Sequence, residues 1–335
     1  MNPLIPENRQ AAVERALLEA FGVDTFDDIE PLTAGLSSAL IFKIIVKDRP
    51  YLLRVIMRTD AMGDPTIQFT CMAPAAEAGL APHIWYTSIE DRISITDFVV
   101  ARPMPFAASA ILIADTLKQL HSLPPFPNRM NYLVTMDGFV QKFSESQILP
   151  KRLAGDVFEQ YERIKSVYPQ DDPENFVSCH NDLKPENILF DGERVWLVDW
   201  EAGFLNDRYA DLSVVGNFVV TNDADEKAVL TRYFGDTPGE YRHARFYLMT
   251  QLMHVFYLVV FMRIAVAAGE SVDPDAIVPD FRDFHNRMRS GEIDLVGSAE
   301  KMRYARVHLQ QVLKNVQTAR FEEALRVLAG RIKEM

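Results

Sequence analysis

Residues 178–200, SCHNDLKPENILFDGERVWLVDW, hold His180, Asp182, Asn187 and Asp199, side chains of the types and spacing that phosphoryl transfer requires. Asn187 opens the apolar run Ile188, Leu189, Phe190. That run meets Asp191-Gly192, a dipeptide that favours a two-residue hairpin turn, and Val195 to Val198 returns as a second strand. The hairpin carries Asp199 back toward Asn187, so that one oxygen from each can converge on a hard cation while Asp182 stands in front of them on its loop. Transfer from a nucleotide needs a carboxylate to take the hydroxyl proton and oxygen ligands to hold magnesium against the phosphates.

On His180, Asp182, Asn187 and Asp199 the chain resembles the kinase superfamily, whose catalytic loop reads H-x-D-x-x-x-x-N with a metal aspartate downstream. The closer resemblance is to the choline kinase and aminoglycoside phosphotransferase branch. The loop has His-Asn-Asp where protein kinases have His-Arg-Asp, and Asp199-Trp200-Glu201 stands in place of Asp-Phe-Gly. Asp211, in NDRYADL, falls where this branch carries a structural aspartate. The resemblance covers most of the chain and is dense from Ser178 to Asp211. It implies an α+β, protein-kinase-like fold of two lobes. Residues 1–99 would form the nucleotide-binding lobe, with an N-terminal helix, a small antiparallel sheet and one further helix. Residues 100–335 would form a mainly helical catalytic and acceptor-binding lobe. The implied activity is ATP- and Mg²⁺-dependent phosphorylation of a small-molecule hydroxyl, on an amino alcohol of the choline or ethanolamine kind or on an amino sugar.

The resemblance also assigns roles. Asp182 is the candidate base, kept ionised by nearby magnesium, and Asn187 and Asp199 are the metal ligands. Lys184 is placed to touch the γ-phosphate, although choline kinases do not usually have lysine there. His180 braces the loop, Asp211 accepts hydrogen bonds from its backbone, and Glu201 faces the acceptor or orients the turn. Gly35, Ser37 and Ser38, within Leu32 to Ile44, lie where a kinase carries its phosphate-covering loop. Arg54 takes the strand position of the kinase lysine, and its guanidinium can hold phosphate oxygens in bidentate fashion. The helix glutamate that pairs with this cation is replaced by Gln68, which leaves Asp60, Asp64 or Glu77 to supply the charge. Asp97 and Val99 flank a hinge where backbone groups would read adenine. Tyr247, Phe256, Tyr257 and Phe261 share one long helix; at that spacing they are core, or they offer aromatic faces to a cationic acceptor, with Tyr257 the candidate. The tryptophan frequent in that region of the branch is missing.

Patterning predicts the elements that position these groups. A first helix ends near Gly22, and strands run Leu40 to Val46, Tyr51 to Met57, His83 to Thr87 and Ile93 to Val99. Asp64-Pro65 opens a helix closed by Gly79, with Pro74 expected to kink it or to divide it into two pieces. Later helices are expected over Ala107 to His121, Val157 to Val167, Asp225 to Phe234, Tyr241 to Ala268, Glu300 to Lys314 and Thr318 to Met335, with His121 structural.

The 335 residues, 48% hydrophobic and 24% charged, are those of a globular protein with a sizeable core. A net charge of -12 argues against nucleic acid or an anionic membrane as the main partner, and is compatible with a cationic substrate. Two cysteines without metal-type spacing fit a reducing cytoplasm. Gln251, His254 and Arg263 interrupt the most apolar segment, which reads as a buried helix rather than a membrane span. Without an Ala-Pro-Glu activation segment, protein phosphorylation is disfavoured. The rival reading is a nucleotide-binding pseudokinase in a regulatory or scaffolding role, favoured by the missing helix glutamate and opposed by Asp182, Asn187 and Asp199.

Overall fold

Helix α1 (Glu7–Phe21) stops at Gly22, whose φ of +70° supplies the left-handed turn that lets its N–H reach Leu18 O. In this computed structural model the described residues are 3–332, apart from 33–38, 61–62, 128, 171, 221 and 274–275. Strands β1 (Asp28–Pro31), β2 (Ala39–Val46), β3 (Arg49–Ile56), β4 (Ile84–Ser88) and β5 (Ile93–Asp97) form an antiparallel sheet in the order β1-β2-β3-β5-β4. The β2–β3 connection is tighter than the sequence suggests. Val46 pairs with Arg49, and both Lys47 and Asp48 take positive φ, as a two-residue hairpin turn of matching twist requires. Val13 and Leu17 of α1 pack with Ile44, Leu53, Val55 and Ile95 in the core of this lobe. Arg54 lies on the central strand β3, opposite Ile41 and Ser94.

Helix α2 (Thr66–Glu77) starts where Asp64 Oδ1 accepts the Thr66 N–H at 2.9 Å. Pro74 does not split it into two pieces, since it falls in the last turn and the Ala78 N–H still reaches Pro74 O at 3.1 Å. Although α2 lies between strands β3 and β4 in the chain, Phe69, Cys71 and Met72 belong to the core formed mainly by the later helices. Gly203 permits this approach, because a Cβ there would lie 2.8 Å from Cys71 Cβ.

The second lobe contains α3 (Phe106–Leu120), α4 (Tyr132–Ser146), α5 (Lys151–Val167), the short strands β6 (Phe176–Cys179), β7 (Ile188–Phe190), β8 (Val195–Leu197) and β9 (Phe204–Asp207), then α6 (Arg208–Val219) and α7 (Asp223–Phe234). It ends with α8 (Glu240–Ala267), α9 (Phe281–Arg289), α10 (Ser298–Asn315) and α11 (Ala319–Ile332). Sequence patterning finds neither α4 nor α9, does not recognise α6 as a helix, and starts α5 too late. Helix α6 is buried almost throughout, so it lacks the polar stripe that periodicity needs. Helix α8 is long and apolar enough to cross a membrane by length and composition. In this fold Leu248, Leu252, Val255, Leu258, Val259 and Met262 are buried in the main core, which makes α8 the central helix of the lobe.

Candidate active site

The loop between β6 and β7 is held from below by α6. Asp211, fully buried, accepts the backbone N–H of His180 at 2.8 Å on one oxygen and that of Asn181 at 2.7 Å on the other. His121 Nε2 lies 3.1 Å from the same carboxylate, and its Nδ1 is 2.6 Å from the Tyr233 hydroxyl. Asn181 adopts φ +63°, a conformation asparagine tolerates better than most residues. The Asn181 side chain donates to Ala202 O at 2.9 Å and accepts from Asn206 at 2.6 Å. His180 donates through Nε2 to Val198 O at 2.9 Å, while its Nδ1 accepts the Asp182 N–H at 3.3 Å. That pairing is the neutral imidazole's, and with Trp200 packed 4.7 Å away the ring braces the loop.

Above this platform, Asp182 is half-exposed, and its Oδ2 is anchored twice. Asn187 Nδ2 donates to Oδ2 at 2.9 Å, and also to the backbone Asp182 O at 2.8 Å; Lys184 Nζ lies 3.1 Å from Oδ2. Partial burial opposes the charge of Lys184, but the fields of Asp182, Asp199 and Glu186 prevail and hold its pKa above the usual lysine value. One carboxylate oxygen of Asp182 is thereby fixed, leaving the other for an incoming group.

The β7–β8 hairpin brings Asp199 to this point, by a longer turn than the Asp-Gly dipeptide predicts. Phe190 pairs with Val195, so the loop spans Asp191 to Arg194. Asp191 Oδ1 accepts the N–H groups of Glu193 and Arg194, and its Oδ2 accepts from Trp196 Nε1 at 2.7 Å, which drives its carboxyl down to about 2. Side-chain bonding wins over the two-residue turn. Val198 N–H donates to Asn187 O at 3.0 Å, and Asp199, at φ +67°, follows directly.

Arg54 departs most from expectation. Its Nη1 donates to Asp199 Oδ1 at 3.0 Å and its Nη2 to Glu201 Oε1, two carboxylates that the sequence reading did not name as its partners. Gln68 is buried in α2. Desolvation pushes the Glu201 carboxyl above its ordinary range, with Arg54 opposing and Asp199 adding to the rise. Asp97 spends its carboxylate on Trp85 Nε1 at 2.8 Å, and Val99 lies in the connector beyond β5. That connector is tied to the hairpin by Arg102 N–H on Phe190 O at 2.6 Å. Gly35, Ser37 and Ser38 lie outside the described residues.

Tyr257 joins an aromatic wall with Phe256, Phe261 and Tyr304, ring centroids 5.0–6.3 Å apart counting Tyr132 and its neighbours. Burial first, then the charges of Asp182 and Glu186, raise the Tyr257 phenol well above its usual pKa. Tyr247 is not part of this wall; it sits toward the other end of α8, stacked under Arg320. Tyr304 and Glu186 escape sequence reading. Glu186 offered a signal, as a second acid within the loop from His180 to Asn187; Tyr304 offered none, since α10 comes close only through the fold.

Residues 28–247 match the model of the phosphotransferase enzyme family, which is more than half of the chain. Protein LicA of Haemophilus influenzae is 46% identical over 37 residues, a match spanning 11% of this chain and 14% of that relative. Among solved structures, a choline/ethanolamine kinase family protein from Mesorhizobium loti superposes with a TM-score of 0.67 at 20% identity, covering 96% of this chain and 99% of that one. A spectinomycin phosphotransferase solved with ADP and spectinomycin gives a TM-score of 0.54 at 13% identity, covering 95% and 97%. At these identities the likeness is one of fold: a protein-kinase-like sheet lobe followed by a helical lobe.

Proposed function

The chain belongs to the phosphotransferase enzyme family, and from that premise we propose that it transfers the γ-phosphate of ATP to a hydroxyl of a small amino alcohol or amino sugar. The observation that carries this reading is the double anchoring of Asp182 Oδ2 by Asn187 and Lys184. It orients the carboxylate as a general base whose second oxygen takes the acceptor's proton as the new bond to phosphorus forms.

The donor set suits magnesium. Asn187 commits its nitrogen to Asp182, which leaves the carboxamide oxygen, and Asp199 adds a carboxylate; both are hard oxygen ligands. When bound, the ion would neutralise charge on the phosphate oxygens. Arg54 and Lys184 bring the cationic side chains to the phosphates, and Gly35, Ser37, Ser38 and the Asp97–Val99 hinge complete the nucleotide's surroundings. Nucleotide thus sits between a lobe of residues 1–99 and one of residues 100–335. Tyr257 and Glu201, with Tyr304 and Glu186, form the acceptor side. Three carboxylates, Asp182, Glu186 and Glu201, beside aromatic faces favour a protonated or quaternary amine over a neutral or anionic acceptor. The choline/ethanolamine kinase family protein points the same way. The two free, buried cysteines, Cys71 and Cys179, suit a cytoplasmic enzyme. The pseudokinase alternative loses its main support once Arg54 has two acidic partners.

The test is ADP formation from Mg-ATP against a panel of amino alcohols, amino sugars and neutral sugars, with and without chelator. Turnover that needs both an amine-bearing acceptor and the divalent ion is the expected result; nucleotide binding without turnover on any acceptor would favour the pseudokinase.

A further inference from the structure

Gly203 closes the turn that follows Asp199, and nothing in its own backbone calls for glycine. Its φ of -67° and ψ of 121° are open to any residue. The demand comes from outside the turn. A Cβ at this position would lie 2.8 Å from Cys71 Cβ and 2.9 Å from Cys71 Sγ, closer than real Cβ atoms come to their neighbours. Cys71, on α2, is fully buried, and its Sγ–H donates to Gly203 O at 3.4 Å. Burial pushes the thiol up to about 11, so the group stays protonated and keeps that donor.

The exit of α2 meets the same stretch of chain from the other side of Asp199. Leu197 N–H, on β8 just ahead of the aspartate, donates to Leu80 O at 2.7 Å. Gln119 Nε2 of α3 donates to Ala78 O at 2.8 Å, which fixes that exit against the helical lobe. Asp199 is thus bracketed, with α2 touching the chain after it and the α2 exit touching the chain before it. The catalytic loop adds a third hold, Asn181 Nδ2 on Ala202 O at 2.9 Å.

We propose that α2 is a brace for Asp199, and that the close contact of Cys71 with Gly203 sets where that carboxylate stands. The inference rests on the reading of Asp199 as a magnesium ligand. Cys71 acts through the backbone of the turn, so it is a positioning residue. Small displacements of the turn matter because magnesium demands near-ideal octahedral geometry, with oxygens at about 2.0–2.1 Å. A helix seated deeper or shallower by the size of one methyl group moves the carboxylate out of that range.

Calorimetric titration of the full-length protein with ADP, once with magnesium and once with EDTA, tests the assignment without turnover. The readout is the ratio of the two affinities. Cys71→Val and Gly203→Ala, which crowd the contact, should cut the magnesium enhancement about tenfold and leave the EDTA affinity within about twofold. Cys71→Ser keeps the size and the donor, and should hold the enhancement within about twofold of wild type. Cys71→Ala deletes Sγ without crowding anything, so it covers the case in which the larger side chains prevent folding; about a threefold loss of enhancement is expected. Met72→Leu, a core change on the same helix, should leave the ratio unaltered. The proposal is overturned if the enhancement survives both Cys71→Ala and Gly203→Ala, if the EDTA affinity falls equally, or if Met72→Leu lowers the ratio as much. Wild-type protein without any magnesium enhancement would instead remove the metal reading of Asp199, and this inference with it.

Discussion

Arg54 Nη1 lies 3.0 Å from Asp199 Oδ1, joining the central strand of the sheet lobe to the turn after the hairpin of the helical lobe. The pair separates residues 145 apart in sequence, and Glu201 takes the other arm of the guanidinium. Arg54 is 6% exposed, whereas its acidic partners are more open, so solvent tempers the loss on removing it. Arg54→Ala is expected to lower stability by roughly 1–3 kcal/mol in urea denaturation, because two neighbouring carboxylates lose their shared cation. Arg54→Lys should recover part of that, keeping the charge without the fork. An Ala variant as stable as wild type would mean that the lobes are not coupled through this residue.

Asp211 supports the catalytic loop through two backbone amides and His121. Asp211→Ala strands two buried N–H groups and should cost about 2–4 kcal/mol. Asp211→Asn should cost less, since a carboxamide offers one accepting oxygen in place of two. Chemical denaturation of the pair of variants checks the order; the reverse order would contradict this account of the loop.

Three buried histidines make folding stability depend on pH. Burial depresses His254 to about 3 and His285 to about 4, and holds His308 well below the ordinary imidazole value. Each is neutral when folded and binds a proton when unfolded below about pH 6.5, so the unfolded state takes up more protons as pH falls. Stability should therefore be full above about pH 6.5 and decline on acidification toward pH 4. The limiting slope is about 1.4 kcal/mol per pH unit for each histidine. His308→Gln should reduce the slope of unfolding free energy between pH 6.5 and 4.5. An unchanged slope would show that His308 is protonated in the folded protein.

The chemistry of this chain was more legible in its sequence than the support of that chemistry. A loop and a hairpin are local structures set by nearby residues, and the Asn187–Asp182 contact and the β7–β8 pairing are of that kind. Even there, Asp191 exceeds the two-residue turn that Asp-Gly favours, using its side chain to satisfy two backbone groups. Asp199 and Glu201 meet Arg54 from the other lobe, so no local pattern around Arg54 or α2 points to them. Helix α6 was hidden by burial on every side, and Tyr304 reaches Tyr257 only because α10 packs along α8.

Tyr257 and Tyr304 stand 5.8 Å apart. If they form the acceptor wall, Tyr257→Ala should raise the KM for the amine acceptor about tenfold and leave that for ATP nearly unchanged. Steady-state kinetics varying each substrate in turn separates the two effects. A larger rise in the KM for ATP would move Tyr257 to the nucleotide side.

The central claim is that Asp182 accepts the proton of the attacking hydroxyl. Its most direct test compares wild type with Asp182→Asn in acceptor-dependent ADP release at saturating Mg-ATP, with nucleotide affinity measured alongside. The account predicts a kcat lower by about 10²–10⁴-fold, with folding and nucleotide affinity retained. Equal turnover by the two proteins would contradict it.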